Sequence, residues 1–380
     1  MMISKDLPEV FRAMPAVYAV GDDYHIFIVP AVKTVMWCRV GGKVYFDDAN
    51  GVLRSEGPLH RIAVPRSELD KAGQYTVGFR KFRERVPYFN KPEGEGEITI
   101  PFRPVTAENP KFFLLSDVHS HIEAGIAAAS SFDMDFLIVN GDIHNDSVTL
   151  EKMLSDHLMA GAVTRGEIPA VFSRGNHDLR GAWAEKQPEL APMPGGRSYG
   201  TFRLGPVWGL LLDAAEDKPD GSIEYGGVNC CHEFRLRETA FLEEVIARKS
   251  SEYEAPGVKY RLVVSHINFS EPHNPPFDIE YDIYRQWCGL IREKIRPCCC
   301  LYGHVHRNYV TMPGSERDIF DLGVPAVVAG VPEPGENGVG FTGAGITLSP
   351  ETLHVRFIDH TGKTAGELTV PCAFAEKGSR

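Results

Sequence analysis

The chain has 380 residues, of which 43% are hydrophobic and 24% charged, values typical of folded globular proteins that exclude disordered and fibrous classes. Fifty-one acidic residues against 40 basic ones give a net charge of −11, which disfavours extended nucleic acid and anionic membranes as partners. No apolar run approaches the roughly 18 residues that cross a bilayer, and the first residues lack a secretory pattern, so we expect a cytoplasmic protein.

Residues 1–104 are predicted to form an N-terminal β-sandwich domain. Turn residues such as Gly41-Gly42 and Asn50-Gly51 separate short runs of β-favouring residues. These runs span residues 16–20, 25–29, 34–40, 43–46, 61–64, 74–79 and 97–100. The proline-rich, polar segment 101–110 is expected to act as a linker.

Residues 105–380 are predicted to form an α/β domain. Apolar runs typical of strands buried on both faces span residues 111–116, 136–140, 170–173, 207–212 and 261–265. Amphipathic helical patterns at 150–162 and 235–249 lie between some of them. Strands that alternate with helices indicate a layered α/β domain, and β-rich sequence returns between 326 and 370.

The eight cysteines indicate a reducing compartment. Cys230-Cys231 and Cys298-Cys299-Cys300 are contiguous, and neighbours in a strand face opposite sides, which makes a poor disulfide framework. We interpret them as small buried apolar residues. A thiolate metal site is the alternative, but the sequence contains no C-x-x-C pair.

Side chains that ligate metals follow the ends of the apolar runs. They occur at five places: Asp117 and His119, Asp142, Asn176 and His177, His266, and His304 and His306. A single histidine or Gly-Asp turn at a strand end is usually structural, but that interpretation does not explain the recurrence. Because ligands bind beyond the carboxyl ends of strands in α/β sheets, we expect these side chains to converge.

The five places form blocks in a characteristic order. The blocks are Asp117-Val118-His119, Gly141-Asp142, Gly175-Asn176-His177-Asp178, His266 and Gly303-His304-Val305-His306. In this order they resemble the signature of the calcineurin-like metallophosphoesterase superfamily. The resemblance implies a four-layer α-β-β-α sandwich with a two-metal centre. The N-terminal β-sandwich is similar to the one that precedes this fold in purple-acid-phosphatase-like members.

The resemblance also implies a role for each block. The first metal ion would bind Asp117, His119, Asp142 and His306, and the second would bind Asp142, Asn176, His266 and His304. His177 would face the substrate as general acid, oriented by Asp178, and Arg174 would contact the phosphate. Asn145 and His144 are further candidates for substrate binding, with a place behind the ligands as the alternative for His144.

These roles imply a metal-dependent phosphoric ester hydrolase that acts on phosphomonoesters or phosphodiesters. Hydroxide bound to two divalent transition-metal ions (Mn, Fe or Zn) would attack phosphorus, and His177 would protonate the leaving group. A nuclease or nucleotide pyrophosphatase on the same centre is one alternative, and a catalytically silent scaffold is another. The expected partner is a small phosphate ester, and the oligomeric state stays open.

Two departures from the family pattern distinguish this sequence from purple acid phosphatases and from phosphoprotein phosphatases. Asn145 stands where purple acid phosphatases have a tyrosine, and Asn145-Asp146-Ser147 replaces the D-R-G of phosphoprotein phosphatases.

The proline-rich segment 271–282 follows the His266 block, and such loops line substrate clefts. His273 and Tyr281 are therefore candidates for leaving-group recognition, with an ordinary surface loop as the alternative.

Overall fold

The computed structural model describes residues 7–333 and 340–372. In these ranges the α-helices are α1 (Arg66–Ala72), α2 (Ile122–Ser130), α3 (Leu150–Thr164), α4 (Gln187–Leu190), α5 (Cys231–Ala247) and α6 (Tyr281–Leu290). A π-helical turn, Ile291–Ile295, continues α6. The strands are β1 (Ala16–Val20), β2 (Asp23–Ile28), β3 (Thr34–Val40), β4 (Lys43–Phe46), β5 (Asp48–Ala49), β6 (Val52–Leu53), β7 (His60–Pro65), β8 (Gln74–Phe82), β9 (Pro92–Pro101), β10 (Lys111–Leu115), β11 (Phe136–Asn140), β12 (Pro169–Ser173), β13 (Gly200–Leu204), β14 (Val207–Leu211), β15 (Tyr260–Val264), β16 (Cys299–Tyr302), β17 (Tyr309–Thr311), β18 (Ala326–Val328), β19 (Val331–Glu333), β20 (Gly340–Leu348), β21 (Thr352–Asp359) and β22 (Thr364–Pro371).

Two sheets face each other and carry helices on their outer sides. The larger sheet has the order β22-β21-β20-β10-β11-β12-β1-β2-β7, and the smaller has the order β13-β14-β15-β16-β18-β17. Helices α2 and α3 cover the larger sheet, and α5 and α6 cover the smaller one. The fold is the four-layer α-β-β-α sandwich that the sequence predicts. None of the helices in the described ranges is both long and apolar enough to cross a bilayer.

Alternating side chains along each buried strand build separate cores. In β10, Phe112 and Leu114 point into the core between the two sheets. Phe113 and Leu115 point the other way, into the core beneath α2 and α3. Each such buried side chain contributes about 2 kcal/mol of hydrophobic stabilisation. Strands of this kind are apolar at every position, which is why the sequence marks them as short uninterrupted runs.

The N-terminal strands form two layers, one of which is continuous with the larger sheet. Strand β1 pairs in parallel with β12, and β2 and β7 extend the sheet beyond it. Strands β3, β4, β8 and β9 form a separate sheet whose buried face, including Met36 and Val77, packs in the same core as Ile26 and Ile62. One of the two layers thus belongs to a sheet of the α/β domain, and the division between residues 104 and 105 stays a prediction.

The segment expected to act as a linker is packed against the protein. Phe102 and Val105 are buried. The Phe102 N–H donates to the carbonyl of Gly73, and the Arg103 N–H donates to the carbonyl of Glu167, both at 2.8 Å. Backbone hydrogen bonds therefore fix this segment to both parts of the fold.

None of the eight cysteines, all of which lie within the described ranges, forms a disulfide, in line with the expectation of a poor disulfide framework. Seven of them are buried, as expected for small apolar residues. Cys230 is exposed, so the expectation of burial is wrong for that residue, which caps the start of α5 outside the core.

Candidate metal centre

The predicted ligand residues lie together at one edge of the two sheets. Asp117, Asp142 and Asn176 follow the ends of β10, β11 and β12 by two or three residues, and His266 and His304 follow β15 and β16 by two. These strands are parallel neighbours within their sheets, so their carboxyl ends meet at the same edge. The fold therefore gathers side chains that are distant in the chain.

The ligand atoms form two groups linked by one carboxylate. Each group holds three side chains whose ligand atoms lie within 4.8 Å of one another: Asp117, His119 and His306, and Asp142, His266 and His304. Asp142 Oδ2 is 3.1 Å from His266 Nε2 and 3.8 Å from His119 Nε2, between the two groups. Asn176 Oδ1 lies 3.1 Å from His304 Nδ1 and extends the second group. These two groups contain residues that the resemblance assigns together, whereas a third group joins His119 and Asp142 to His177, which the resemblance places outside the ligands. The ligand roles themselves stay a prediction.

Three of the imidazoles are oriented by hydrogen bonds on the nitrogen that faces away from the other ligands. His119 Nδ1–H donates to Asn145 Oδ1 at 2.9 Å, His266 Nδ1–H to the Asn140 carbonyl at 2.7 Å, and His304 Nε2–H to Asp217 Oδ2 at 2.8 Å. In the neutral rings the other nitrogen then carries a lone pair. His119 Nε2 and His306 Nε2 are only 2.8 Å apart, a separation at which two lone pairs need a cation or proton between them.

Two buried ligand atoms, Asp117 Oδ1 and His266 Nε2, have no hydrogen-bond partner in the described ranges. The other oxygen of Asp117 accepts from the Ser116 hydroxyl at 2.7 Å and from the His304 N–H at 2.8 Å. Buried polar atoms without partners are costly, and coordination to a cation satisfies them. Imidazole, carboxylate and carboxamide donors without thiolate fit divalent transition-metal ions.

The buried carboxylates stabilise positive charge on the groups around them. Burial lowers the pKa of His266, but Asp142 and Asp117 outweigh that effect and raise it to about 10. Burial raises the pKa of Asp142, yet the surrounding imidazoles, His266 foremost, hold it below its usual range. A bound cation would replace the protons that this arrangement attracts.

The loops hold five of the proposed ligand residues in left-handed backbone conformations. Their φ angles lie between 46° and 71°: Asp117, His119, Asp142, His304 and His306. Outside glycine this conformation costs roughly 1–2 kcal/mol per residue, and such residues cluster at functional sites. The surrounding fold therefore holds the backbone of these five residues in a strained conformation.

Two motif glycines allow the loops to approach the carboxylates. A Cβ on Gly175 would lie 2.2 Å from Asp142 Oδ1, and one on Gly303 would lie 1.9 Å from Ser116 Oγ and 2.5 Å from Asp117 Oδ2. Contacts this short do not occur between real atoms, so no side chain fits at either position. This close approach accounts for the glycine that begins each of these two blocks.

The predicted role of Asp178 as the partner of His177 is wrong. Asp178 Oδ2 accepts from the Gly175 N–H at 2.6 Å, and Oδ1 lies 3.1 Å from His144 Nε2. The short 3₁₀ turn His177–Leu179 directs these adjacent side chains differently, so that Asp178 is buried while His177 is partly exposed. Asp178 therefore stabilises the loop through its contacts with Gly175 and His144.

The arginine that contacts His177 beside the ligand groups is Arg180, whereas Arg174 is paired elsewhere, so its contact with a phosphate stays a prediction. Arg174 Nη2 lies 2.6 Å from Asp213 Oδ2, in an ion pair that uses its side chain in the interior. Arg180 Nη1 donates to His177 Nε2 at 2.8 Å, and its Nε donates to Glu216 Oε2 at 3.1 Å. Both arginines lie three residues from His177, and the turn decides which one faces the site.

His144 lies behind the ligands, which excludes the predicted contact with substrate. It is 1% exposed, and its Nε2 is 3.1 Å from Asp178 Oδ1 and 3.8 Å from Asp156 Oδ1. The alternative position behind the ligands is the one that the structure supports. Asn145 is exposed and orients His119, and its contact with a phosphate stays a prediction.

Sequence reasoning missed two adjacent carboxylates that orient proposed ligands. Asp217 accepts from His304, and Glu216 Oε1 accepts from Asn176 Nδ2 at 3.0 Å. Both are buried in a loop five or six residues after β14. They do not directly follow an apolar run, so the only available signal is that this loop also leaves a carboxyl end of the smaller sheet.

The fold is similar to that of solved phosphatases. A purple acid phosphatase, PPD1 from yellow lupin (Lupinus luteus) seeds, superposes with a TM-score of 0.59 at 12% identity, over 95% of this chain and 75% of that one. PhoD superposes with a TM-score of 0.54 at 12% identity, over 97% of this chain and 90% of that one. At such identities the likeness is one of fold.

Comparison with curated protein sequences gives no match. The family model for calcineurin-like phosphoesterases matches residues 110–308, more than half of the chain. The matched range contains all five blocks, from Asp117 to His306, and the structure gathers them at one edge of the family's two-sheet fold. The chain therefore belongs to the calcineurin-like phosphoesterase family.

Proposed function

We propose that the protein is a metal-dependent phosphoric ester hydrolase that acts on small phosphomonoesters or phosphodiesters. The observation that carries the proposal is the position of Asp142 Oδ2, between His266 Nε2 at 3.1 Å and His119 Nε2 at 3.8 Å. Two divalent cations held by the two ligand groups would activate a water molecule as nucleophile and offset the charge of the phosphoryl oxygens. The donor set favours Mn, Fe or Zn.

His177 is suited to give a proton to the leaving oxygen. Its side chain is 25% exposed, and its ring packs edge-on against His119 with 4.7 Å between centroids. Nδ1–H donates to the Asn145 carbonyl at 2.7 Å, which fixes the ring and leaves Nε2 for the substrate. In the proposed reaction a proton passes from Nε2 to the leaving oxygen as the P–O bond breaks.

Arg180 is suited to bind the phosphoryl oxygens. In the free protein its guanidinium donates to His177 and to Glu216. When an ester binds, we expect Arg180 to turn from His177 to a phosphoryl oxygen, because a charge-assisted hydrogen bond to an anion is stronger than one to a neutral imidazole. That movement frees His177 Nε2 to take up a proton from solvent, and this is the proton that it later donates.

The overall charge supports a small substrate. At −11 the protein would repel a long polyanion outside the centre, whereas a single phosphate would meet only the local cations and Arg180. The proposal is therefore directed at small esters rather than at extended nucleic acids.

The test is metal content together with hydrolysis. Protein stripped with a chelator and reloaded with Mn should bind two equivalents and hydrolyse p-nitrophenyl phosphate, bis-p-nitrophenyl phosphate or both. The stripped protein should hydrolyse neither, and the relative rates on the two esters would assign monoesterase or diesterase activity. Two bound equivalents without hydrolysis of either ester would overturn the enzymatic proposal and leave a silent scaffold of the same fold.

The role of His177 is tested separately with His177→Ala. The variant should keep both metal equivalents and lose about 10²–10⁴-fold in kcat on an alkyl phosphate, whose leaving group needs a proton. On p-nitrophenyl phosphate, whose leaving group does not, the loss should be much smaller. Full turnover of the alkyl ester would remove the role.

A further inference from the structure

A cavity of about 470 Å³ opens beside the second ligand group. His304 and Asp217 form part of its wall, and residues from the loop 271–277 form another part. Its volume is within the range of pockets that hold small molecules, about 300–1,000 Å³. The cavity is positioned to receive the part of an ester that lies beyond its phosphoryl group.

One acidic side chain of the cavity is already neutralised by its neighbours. Glu271 is buried, accepts from the Tyr309 hydroxyl at 2.7 Å and also accepts from the Thr311 hydroxyl. Arg317 Nη1 lies 3.5 Å from the same carboxylate. Glu271 therefore interacts with Arg317 and with the two hydroxyl groups, so neither charged side chain is available to a ligand as a free charge.

Arg307 is a cavity-lining cation that none of the described residues pairs with. Its exposed guanidinium makes no hydrogen bond or ion pair within residues 7–333 and 340–372. Asp217, the other acidic residue of the wall, is engaged by His304 at 2.8 Å. Among the four charged side chains of the wall, Arg307 is therefore the one that the described residues leave without a contact, on a protein that is otherwise acidic.

Asn268 offers a second recognition group. Its side chain is fully buried at the cavity, and its Oδ1 accepts from the N–H and hydroxyl of Ser270 at 3.2 and 2.9 Å. These bonds fix the orientation of the amide, and in the described part of the chain Nδ2 has no acceptor. An oxygen of a ligand would supply the acceptor that this buried donor lacks.

The loop after the His266 block contributes a ring to the cavity wall. Phe277 and His273 line the cavity. His273 Nε2–H donates to the Asn268 carbonyl at 2.6 Å, and the Tyr281 hydroxyl accepts from the His273 N–H at 3.2 Å. Tyr281 thus acts through His273, and these bonds hold the loop where Phe277 can pack against a ring.

We propose that this cavity binds the leaving group of the substrate and that Arg307 selects leaving groups that carry an anionic substituent. The inference rests on the proposed function, because it concerns the second half of the same ester. The preferred substrate class is then a phosphate ester whose leaving group presents a ring or other apolar body to Phe277 and a negative charge to Arg307.

The experiment compares two substrates that differ at one substituent, which is anionic in one and uncharged in the other, and it reads the change in their ratio between wild type and variant. The kcat/KM of Mn-loaded enzyme is measured on 4-carboxyphenyl phosphate and on its uncharged carboxamide. We expect the wild type to prefer the carboxylate, and Arg307→Gln to lower the carboxylate-to-carboxamide ratio about tenfold, as for loss of one charge-assisted hydrogen bond. Arg165→Gln, a change at an arginine whose side chain is 65% exposed at the end of α3, should leave the ratio unchanged.

A binding measurement separates recognition from turnover. The dissociation constant of 4-carboxybenzylphosphonate, which cannot be hydrolysed, should rise about tenfold in Arg307→Gln relative to its carboxamide analogue. Equal ratios in wild type and Arg307→Gln, with both esters hydrolysed, would overturn this inference and leave the proposed function intact. Hydrolysis of neither ester by fully loaded protein would overturn the proposed function itself, and the phosphonate result would still decide whether Arg307 binds anions.

Discussion

Arg180 and His177 share a hydrogen bond at the edge of the metal centre, with 2.8 Å between Arg180 Nη1 and His177 Nε2. A guanidinium can only donate, so His177 Nε2 is the acceptor and carries no proton in this arrangement. In the proposed reaction the pair would couple phosphate binding to proton transfer, because only an Arg180 that has turned to the substrate leaves Nε2 free.

Replacing Arg180 with Gln should lower kcat/KM on p-nitrophenyl phosphate about 10–100-fold. A hydrogen bond to a charged group contributes roughly 1.5–3 kcal/mol, and 1.4 kcal/mol corresponds to a factor of ten. Arg180→Lys, which keeps the positive charge but not the planar set of guanidinium N–H donors, should recover part of the loss. Metal content is measured in parallel, and an unchanged kcat/KM at full metal occupancy would contradict the role of Arg180.

Replacing Arg174 with Gln should affect stability instead of catalysis. The change leaves Asp213, which is almost fully buried, without its ion-pair partner at 2.6 Å. Breaking a buried pair in this way costs roughly 3–5 kcal/mol of unfolding free energy. Urea unfolding should show that loss, while the KM of the folded enzyme stays unchanged. A higher KM with unchanged stability would instead restore the phosphate contact expected from the sequence.

Replacing Asp217 with Asn should weaken the second metal site. Asp217 accepts the Nε2 proton of His304 at 2.8 Å and so turns Nδ1 toward Asn176. Loss of such an orienting carboxylate typically costs 10–100-fold in metal affinity. Titration with Mn should show one site weakened and the other intact. Equal weakening of both sites, or of neither, would show that Asp217 does not act through His304.

Replacing Glu238 with Gln should change how stability depends on pH. Burial, aided by the nearby Asp213, raises the pKa of Glu238 in the folded protein well above its unfolded value of about 4.3. Stability contributed by the protonated form is complete below pH 4 and is lost as the pH rises through the folded pKa. The Gln variant should therefore match the wild type near pH 4 and become progressively more stable than it toward neutral pH.

The control for Glu238 is Glu244→Gln on the same helix, where the carboxylate is exposed. Its unfolding free energy should follow the wild type across the same pH range. A Glu238→Gln curve parallel to the wild-type curve would contradict the assignment.

The sequence predicts the ligand cluster because each proposed ligand follows the end of a buried strand by two to four residues. Asp117 and Asp142 both follow their strands by two residues, and periodicity alone indicates where such strands end. The position of a residue relative to a strand end does not predict a role that depends on the conformation of a turn. Arg174 and Arg180 are equivalent in spacing from His177, and only the folded 3₁₀ turn distinguishes them.

The layers of the fold were predictable to the same degree. The buried runs at β10, β11 and β15 mark the two sheets, whereas nothing in the uninterrupted apolar run of β1 says which sheet it joins. Pairing of β1 with β12 is a long-range choice made by packing. Asp217 was missed for a related reason, since it lies in a charged loop and meets His304 only in three dimensions.

The most direct test of the dinuclear centre is anomalous diffraction from crystals of Mn-loaded protein, with wild type and Asp142→Asn compared. We expect two peaks in the wild type, one on either side of the Asp142 carboxylate, and weakening of both peaks together in the variant because Asp142 lies between the two groups. A wild-type map with a single peak, with none, or with two peaks that Asp142→Asn leaves in place would contradict the account.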